Sequence, residues 1–408
     1  MKLTMGIPSY WGRESEAGYK EGDAIYDHPT PLDTEGTLFR AIQSIERLED
    51  KNFDLVIIAV ATAEDIESKV EKKVARIIES ANPGVEVMLF GPSRLKQIHE
   101  LLRREGKKEY IDLLQLRGYS NIRNLCMLIP HALGSDVAVL IDDDEVFEDQ
   151  KFMLKAKEFI GREIGGRTIN AVAGYYLQPD GDYHVKKPYR PWMKYWDQSE
   201  RMNEAFDKII GAEPRLKETP FVFGGNMVIH RNIFTVVSFD PNVRRGEDID
   251  FLINARMLGF SFFLDNQLSI MHLPPPRAHT TWMQFREDIY RFIYERVKIE
   301  TQKEMEGMRK VYPEDFDPYP GCFLKSNLEE KIEQACKLLS EEYLAQGDRK
   351  DSVETLNNIA LAKADAVPKF NPFQRLCELQ KRWQGLMLFT SQEDIRSRMR
   401  DIIYKGVH

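Results

Sequence analysis

Ten residues, Val137 to Val146, constrain this chain more than any other stretch: VAVLIDDDEV is a short apolar, partly β-branched run that stops in three consecutive aspartates, Asp142, Asp143 and Asp144. A continuous apolar run of this length reads as a strand buried on both faces, the pattern of a parallel sheet. Open α/β sheets take their ligands just beyond the carboxyl ends of their strands, where strand order reverses. Three adjacent carboxylates placed there repel one another unless a cation or strong donors compensate, which points to a hard divalent metal carrying phosphates. Taken alone, the same run also reads as a solvated acidic turn. The rest of the chain has to decide.

The preceding segments alternate in period. Leu3 to Pro8 is a strand running into Ser9, Tyr10 and Trp11; Asp54 to Val60 and Val85 to Phe90 are further buried strands. Between them Leu38 to Leu48 has helical spacing, and Ile66 to Ser80 is a charged amphipathic helix with Val70, Val74, Ile77 and Ile78 on one face. Asn121 to Leu133 is a helix leading into the acidic strand. Repeated strand–helix–strand units predict a mostly parallel central sheet flanked by helices. Gly12 to Thr34 is polar and contains Gly and Pro; it is long for a loop, which suits a lid or a disordered segment. After residue 150, Ala171 to Leu177, Phe221 to His230 and Ser261 to Leu264 read as strands and Asp248 to Leu258 as a helix. From Thr281 onward the pattern is helical, charged and amphipathic. These breaks divide the chain into 1–150, 151–280 and a helical C-terminal extension, 281–408.

Over 408 residues the formal charge is −8, which argues against nucleic acid as the main partner. The longest apolar run, Leu55 to Ala63, is far short of the roughly 20 residues that span a bilayer. The first residues lack the apolar stretch of a signal peptide. The four cysteines are scattered, with no CxxC pair, as expected of free thiols in a reducing compartment. A cytoplasmic protein is the expectation, and the C-terminal helices are where a homo-oligomer would form.

Three further constellations bear on chemistry. Gly224-Gly225-Asn226 interrupts an apolar strand pattern, where glycine marks either a bulge or close approach of backbone to a ligand. Gly246-Glu247-Asp248 opens a helix, where carboxylates either favour the helix dipole or face a cleft as a general base. His272 ends the apolar run Ile270-Met271 before Leu273 and three prolines, Pro274 to Pro276; a neutral imidazole there can complete a coordination shell begun by carboxylates.

In this order and spacing, the features resemble the GT-A-fold glycosyltransferases, most closely the family 2-like members, over Lys2 to Pro276. The resemblance implies a Rossmann-like catalytic domain at 1–280, with a nucleotide-sugar-binding half at 1–150 and an acceptor and catalytic half at 151–280. It places the nucleotide sugar against Pro8, Ser9, Tyr10, Asp65, Arg123, Asn124, Asp142 and Asp143. It makes Asp142 and Asp144, with the late His272, the ligands of Mn²⁺ or Mg²⁺. It assigns Asp248 as general base of an inverting transfer, with Glu247 positioning it, and Gly224, Gly225 and Asn226 to the acceptor side. The Pro-x-x-Asn and Asp-Asp-Gly-Ser signatures of the first two strands are absent, so Asp65 is only the nearest candidate for the nucleobase contact.

The implied activity is transfer of one sugar from a nucleoside-diphosphate donor, with UDP favoured over GDP, to an acceptor hydroxyl. The basic and aromatic segment Tyr183 to Trp196 adds Lys187, Arg190 and Trp192 as the place where an anionic acceptor, if there is one, binds. A retaining enzyme of the same fold, a nucleotidyltransferase and a non-catalytic nucleotide-sugar-binding protein remain open at this point.

Overall fold

The computed structural model describes residues 1–275 and 280–404; Pro276, the last residue of the resemblance, and the end of the extension, 405–408, lie outside them. The strands are β1 (Leu3–Gly12), β2 (Thr30–Pro31), β3 (Asp54–Ala61), β4 (Val87–Phe90), β5 (Val137–Ile141), β6 (Glu145–Val146), β7 (Glu163–Ile164), β8 (Arg167–Thr168), β9 (Ala171–Leu177), β10 (Leu216–Glu218), β11 (Asn226–His230) and β12 (Phe263–His272). The α-helices are α1 (Leu38–Ser44), α2 (Glu67–Ser80), α3 (Pro92–Arg104), α4 (Tyr119–Ala132), α5 (Phe152–Phe159), α6 (Gln198–Ile209), α7 (Arg231–Phe234), α8 (Glu247–Met257), α9 (Thr281–Glu300), α10 (Leu328–Ala345), α11 (Arg349–Lys363), α12 (Pro372–Thr390) and α13 (Glu393–Tyr404).

The main sheet runs β10-β12-β9-β11-β5-β1-β3-β4. β4, β3, β1 and β5 are mutually parallel, and their residues are apolar almost without interruption because helices cover both faces. The chain builds outward from β1 through β3 to β4, then returns to lay β5 on the other side of β1. Strand order therefore reverses between β1 and β5, and the carboxyl ends of these two strands flank the crevice where such sheets bind ligands. The fold class is the one expected: α/β, a mostly parallel central sheet flanked by helices, and a helical C-terminal region.

Beyond β5 the sheet turns mixed. β11 is antiparallel to β5, with Asn226 opposite Ile141, so the residues just before β11 meet the end of the acidic strand. Gly224 and Gly225 thus precede a strand rather than interrupt one. β12 is longer than the two short runs that predict it, because a register shift between Leu264 and Ser269 absorbs the polar residues between them. One of these, Asp265, is buried and accepts from Arg215 Nε at 2.8 Å and Nη2 at 2.7 Å. The buried Asn226 amide stitches the same irregularity, donating to Leu268 O at 3.1 Å and Tyr175 O at 3.3 Å.

One apolar cluster crosses the boundary at 280. Phe285, Phe292, Leu376 and Trp383 belong to the same buried body as Ile122, Phe234 and Phe251, and Trp383 Nε1 donates to Phe234 O at 2.9 Å. The segment 12–34 is likewise tied down: Thr30 pairs with Trp11, and Tyr26 is 1% exposed.

Candidate active site

A cleft of about 350 Å³ opens at the carboxyl ends of β1 and β5. On one side stand Asp142, Asp143 and Asp144; facing them are Gly224 and the first turn of α8, Gly246-Glu247-Asp248; His272 closes the sheet side. Residues more than a hundred positions apart meet here because β11 folds back beside β5 and the end of β12 pairs with β6, setting His272 opposite Glu145.

Arg123 of α4 joins the two acidic motifs. Its Nη2 lies 2.8 Å from Asp142 Oδ1 and its Nε 3.3 Å from Glu247 Oε1, and the side chain is buried. Burial and the neighbouring Asp248 push Glu247 up to about 7, and Arg123 offsets only part of that. Asp248 lines the open cleft beside it.

The acidic strand end divides its work. Asp143 turns inward and accepts from Ser9 Oγ at 2.6 Å, and Trp11 Nε1 holds Ser9 Oγ in turn at 2.9 Å. Asp144 faces His272, whose Nε2 is 3.4 Å from its Oδ2, and the imidazole is stacked on Tyr176 at 4.6 Å between centroids. Burial works against the charge of Asp144, but the hydrogen bond and charge of His272 outweigh it and hold this carboxyl below its ordinary range. Glu145 was not singled out by sequence reasoning. It is fully buried, and carboxylate oxygens of Asp142, Asp144 and Glu145 lie within 4.8 Å of one another. Burial and the charges of Asp142 and Asp144 drive Glu145 well above the usual carboxylate range. Its Oε1 and Asp142 Oδ1 are buried without a hydrogen-bond partner, the Arg123 contact of the latter being an ion pair without hydrogen-bond geometry. Closely spaced hard oxygens short of compensating charge fit a divalent cation.

The two glycines before β11 have a steric reason. A Cβ on Gly225 would lie 2.1 Å from Glu145 Oε1 and 2.6 Å from Asp142 Oδ2, and one on Gly224 would lie 2.9 Å from Arg123 Nη2. The backbone is bare here so that the acidic cluster and its guanidinium can sit against it. Glycine signalled close approach, but to the protein's own charged groups.

Of the residues singled out in the sequence, Tyr10, Arg123, Asp142, Asp143, Asp144, Lys187, Gly224, Glu247, Asp248 and His272 line the cleft. The others do not. Pro8 lies within β1, paired with Ile58, and Ser9 acts through Asp143. Asn124 is buried and clamps the Phe239 backbone, accepting at 2.8 Å and donating at 3.0 Å. Asn226 serves the sheet irregularity. Asp65, the expected nucleobase contact, is gripped by both terminal nitrogens of Arg13 at 2.7 and 2.9 Å. Arg190 pairs with Glu342 of α10 at 3.0 Å, and Trp192 packs toward Phe285.

In their place the 12–34 segment supplies Tyr26, Asp27 and His28, and the C-terminal extension supplies Gln284, Asp288, Arg291 and Tyr319. Tyr10, Tyr26 and Tyr119 form a ring cluster with centroids 4.6 to 5.2 Å apart. No local pattern announces these contributions, since each depends on long-range packing.

No protein-family model matches the sequence, and no curated protein matches it. Among solved structures, the mannosyltransferase PcManGT from Pyrobaculum calidifontis, in complex with GDP-Man and Mn²⁺, aligns with a TM-score of 0.43 and 13% identity, over 96% of this chain and 87% of that one. A mycobacterial protein aligns at 0.39 and 14%, over 72% of each chain. GalNAc-T7 with UDP, GalNAc and Mn²⁺ aligns at 0.34 and 12%, over 73% of this chain and 51% of that one. Likeness at this level carries no argument about activity, which rests on the cleft itself.

Proposed function

We propose that the protein is a metal-dependent glycosyltransferase that moves one sugar from a nucleoside-diphosphate donor, UDP-linked before GDP-linked, to an acceptor hydroxyl with inversion. The observation that carries this reading is the cleft at the β1/β5 reversal, where an oxygen cluster only partly neutralised by Arg123 and His272 faces a second carboxylate motif across that buried arginine. Asp142, Asp144 and Glu145, with His272 beside them, would hold Mn²⁺ or Mg²⁺, which would supply Lewis-acid stabilisation of the charge on a departing diphosphate. Arg123 Nη1 is buried without a partner and serves a phosphate oxygen. Tyr10 and the ring cluster around it flank the nucleoside.

Asp248 then acts as general base. Its carboxylate takes the proton of the acceptor hydroxyl, the acceptor oxygen bonds to the anomeric carbon, and the bond from that carbon to the diphosphate oxygen breaks. Glu247, pushed up toward neutrality and held by Arg123, positions the turn. In this reading residues 1–150 hold the donor, 151–280 the catalytic carboxylate, and the extension completes the wall.

The test is turnover of UDP- and GDP-sugars with Mn²⁺, with product configuration read by NMR, on the native protein and on Asp248→Asn. The expected result is metal-dependent release of nucleoside diphosphate, lowered at least about 100-fold by the substitution, with nucleotide binding retained. Near-normal turnover in Asp248→Asn defeats the assignment of the base. Release of pyrophosphate from a nucleoside triphosphate instead defeats the reaction class.

A further inference from the structure

The basic segment that was to receive an anionic acceptor is largely spent on its own neighbours. Lys186 is held by Asp180 and, at 3.0 Å, by Asp182; Arg190 is taken by Glu342. A different place carries uncommitted positive charge. Beside the cleft lies a second cavity of about 290 Å³, walled by α9, the Arg244-Arg245 turn before α8, Ile25 of the 12–34 segment and Leu361 of α11. Asp27, Tyr119, Arg245 and Gln284 line both spaces, so the second cavity adjoins the first.

Its walls combine flat rings with guanidinium planes. Arg286 lies over Trp282 at 4.6 Å and Arg244 over Tyr290 at 4.8 Å. The indole Nε1 of Trp282 is buried without a hydrogen-bond partner. Two of the three lining arginines are matched: Arg245 with Asp27 at 3.2 Å and Asp288 at 3.1 Å, Arg286 with Glu354 at 2.9 Å. Arg244 stands exposed at the rim and takes part in none of the ion pairs among the described residues. Burial raises the remaining lining carboxyl, Glu287, above its ordinary range, with Arg244 pulling the other way.

We propose that this cavity is a binding site for an aryl-bearing anion, a flat apolar group lying between Trp282 and Tyr290 with its phosphate or carboxylate on Arg244. That such a ligand is the non-reacting end of the sugar acceptor rests on the glycosyltransferase reading; the binding itself does not. Rings and a guanidinium together select against either half alone, since an inorganic anion leaves the rings unused and a neutral aryl group leaves Arg244 unused.

The experiment uses the full chain without nucleotide and 1-naphthyl phosphate as probe, with inorganic phosphate and 1-naphthol as its two halves. Binding is followed by calorimetry and by quenching of intrinsic tryptophan fluorescence. The expected result is that naphthyl phosphate binds at least about tenfold more tightly than either half, and that Arg244→Ala weakens it about tenfold. Trp282→Phe should remove most of the quenching, while Mn²⁺-dependent UDP or GDP binding stays unchanged in both variants. Equal binding of phosphate or naphthol, no binding of the probe, or indifference to Arg244→Ala overturns the proposal. Loss of nucleotide binding in the native protein strikes the glycosyltransferase reading instead. As a separate readout, competition of the probe with acceptor in sugar transfer tests the acceptor role, and its absence overturns that role alone.

Discussion

Two single residues show how closely the turn that opens α8 depends on its surroundings. Gly246 has φ of +72°, and a Cβ on it would sit 2.1 Å from Arg291 Cδ and Nη1. Both the left-handed backbone and the contact penalise a side chain, so Gly246→Ala should destabilise the fold by about 2 kcal/mol or more; chemical denaturation measures it. Glu295 lies opposite on α9, fully buried, with neither carboxylate oxygen partnered. Burial pushes it up to about 8, with Arg291 pulling the other way. A carboxyl raised in the folded state contributes its stability below the unfolded value of about 4.3 and loses it as pH rises toward 8. Glu295→Gln should therefore differ little from the native chain at pH 4.5 and be more stable by roughly 5 kcal/mol at pH 8.5. Denaturation midpoints at the two pH values provide the check, and an equal difference at both sinks the account.

At the scale of elements, α9 is the least expected participant. Asp288, Arg291, Glu295 and Lys298 are all buried and recur at helical spacing along one stripe. Lys298 is held by Asp250 and by Asn254 at 3.0 Å, while Tyr294 donates to Asp240 at 2.7 Å. A helix of the extension thus forms the polar floor under α8. The sequence reads this stretch as helical, charged and amphipathic, but charge spacing alone does not reveal which charges are turned to a protein surface. Strands and their acidic ends were legible, since β3 and β5 are buried on both faces and their composition says so. The Gly224-Gly225 pair was legible only as a bulge or a close approach to a ligand, and its contacts decide for close approach to Glu145, Asp142 and Arg123. Asp65 and Arg190 were misleading for a shared reason: exposed charges find whichever counter-charge tertiary packing brings, here Arg13 and Glu342. Removing that floor should show directly. Lys298→Met leaves Asp250 buried and unpaired, which costs roughly 3 kcal/mol or more and lowers the melting temperature steeply; calorimetry reads it out.

Across the whole molecule, the apolar cluster shared by Phe234, Phe251, Phe292 and Trp383 makes the extension part of one core. A chain shortened at residue 280 should expose that surface and fail to give a cooperative unfolding transition, which circular dichroism on heating will show. Metal removal tests the other end of the cleft. Addition of Mn²⁺ should raise the melting temperature, by about RT ln(1 + [Mn²⁺]/Kd) in free energy, and EDTA should reverse it. Asp144→Asn should lose that increment, and an unchanged increment would take Asp144 out of the coordinating set.

The Arg123 bridge also couples the two acidic motifs in stability. A substitution at Asp142 or at Glu247 leaves a buried guanidinium half neutralised, so a change at the end of β5 is felt as lost stability at α8 across the cleft. The two costs should not add, because both fall on one guanidinium, and a double-mutant cycle on Asp142→Asn and Glu247→Gln reads that coupling.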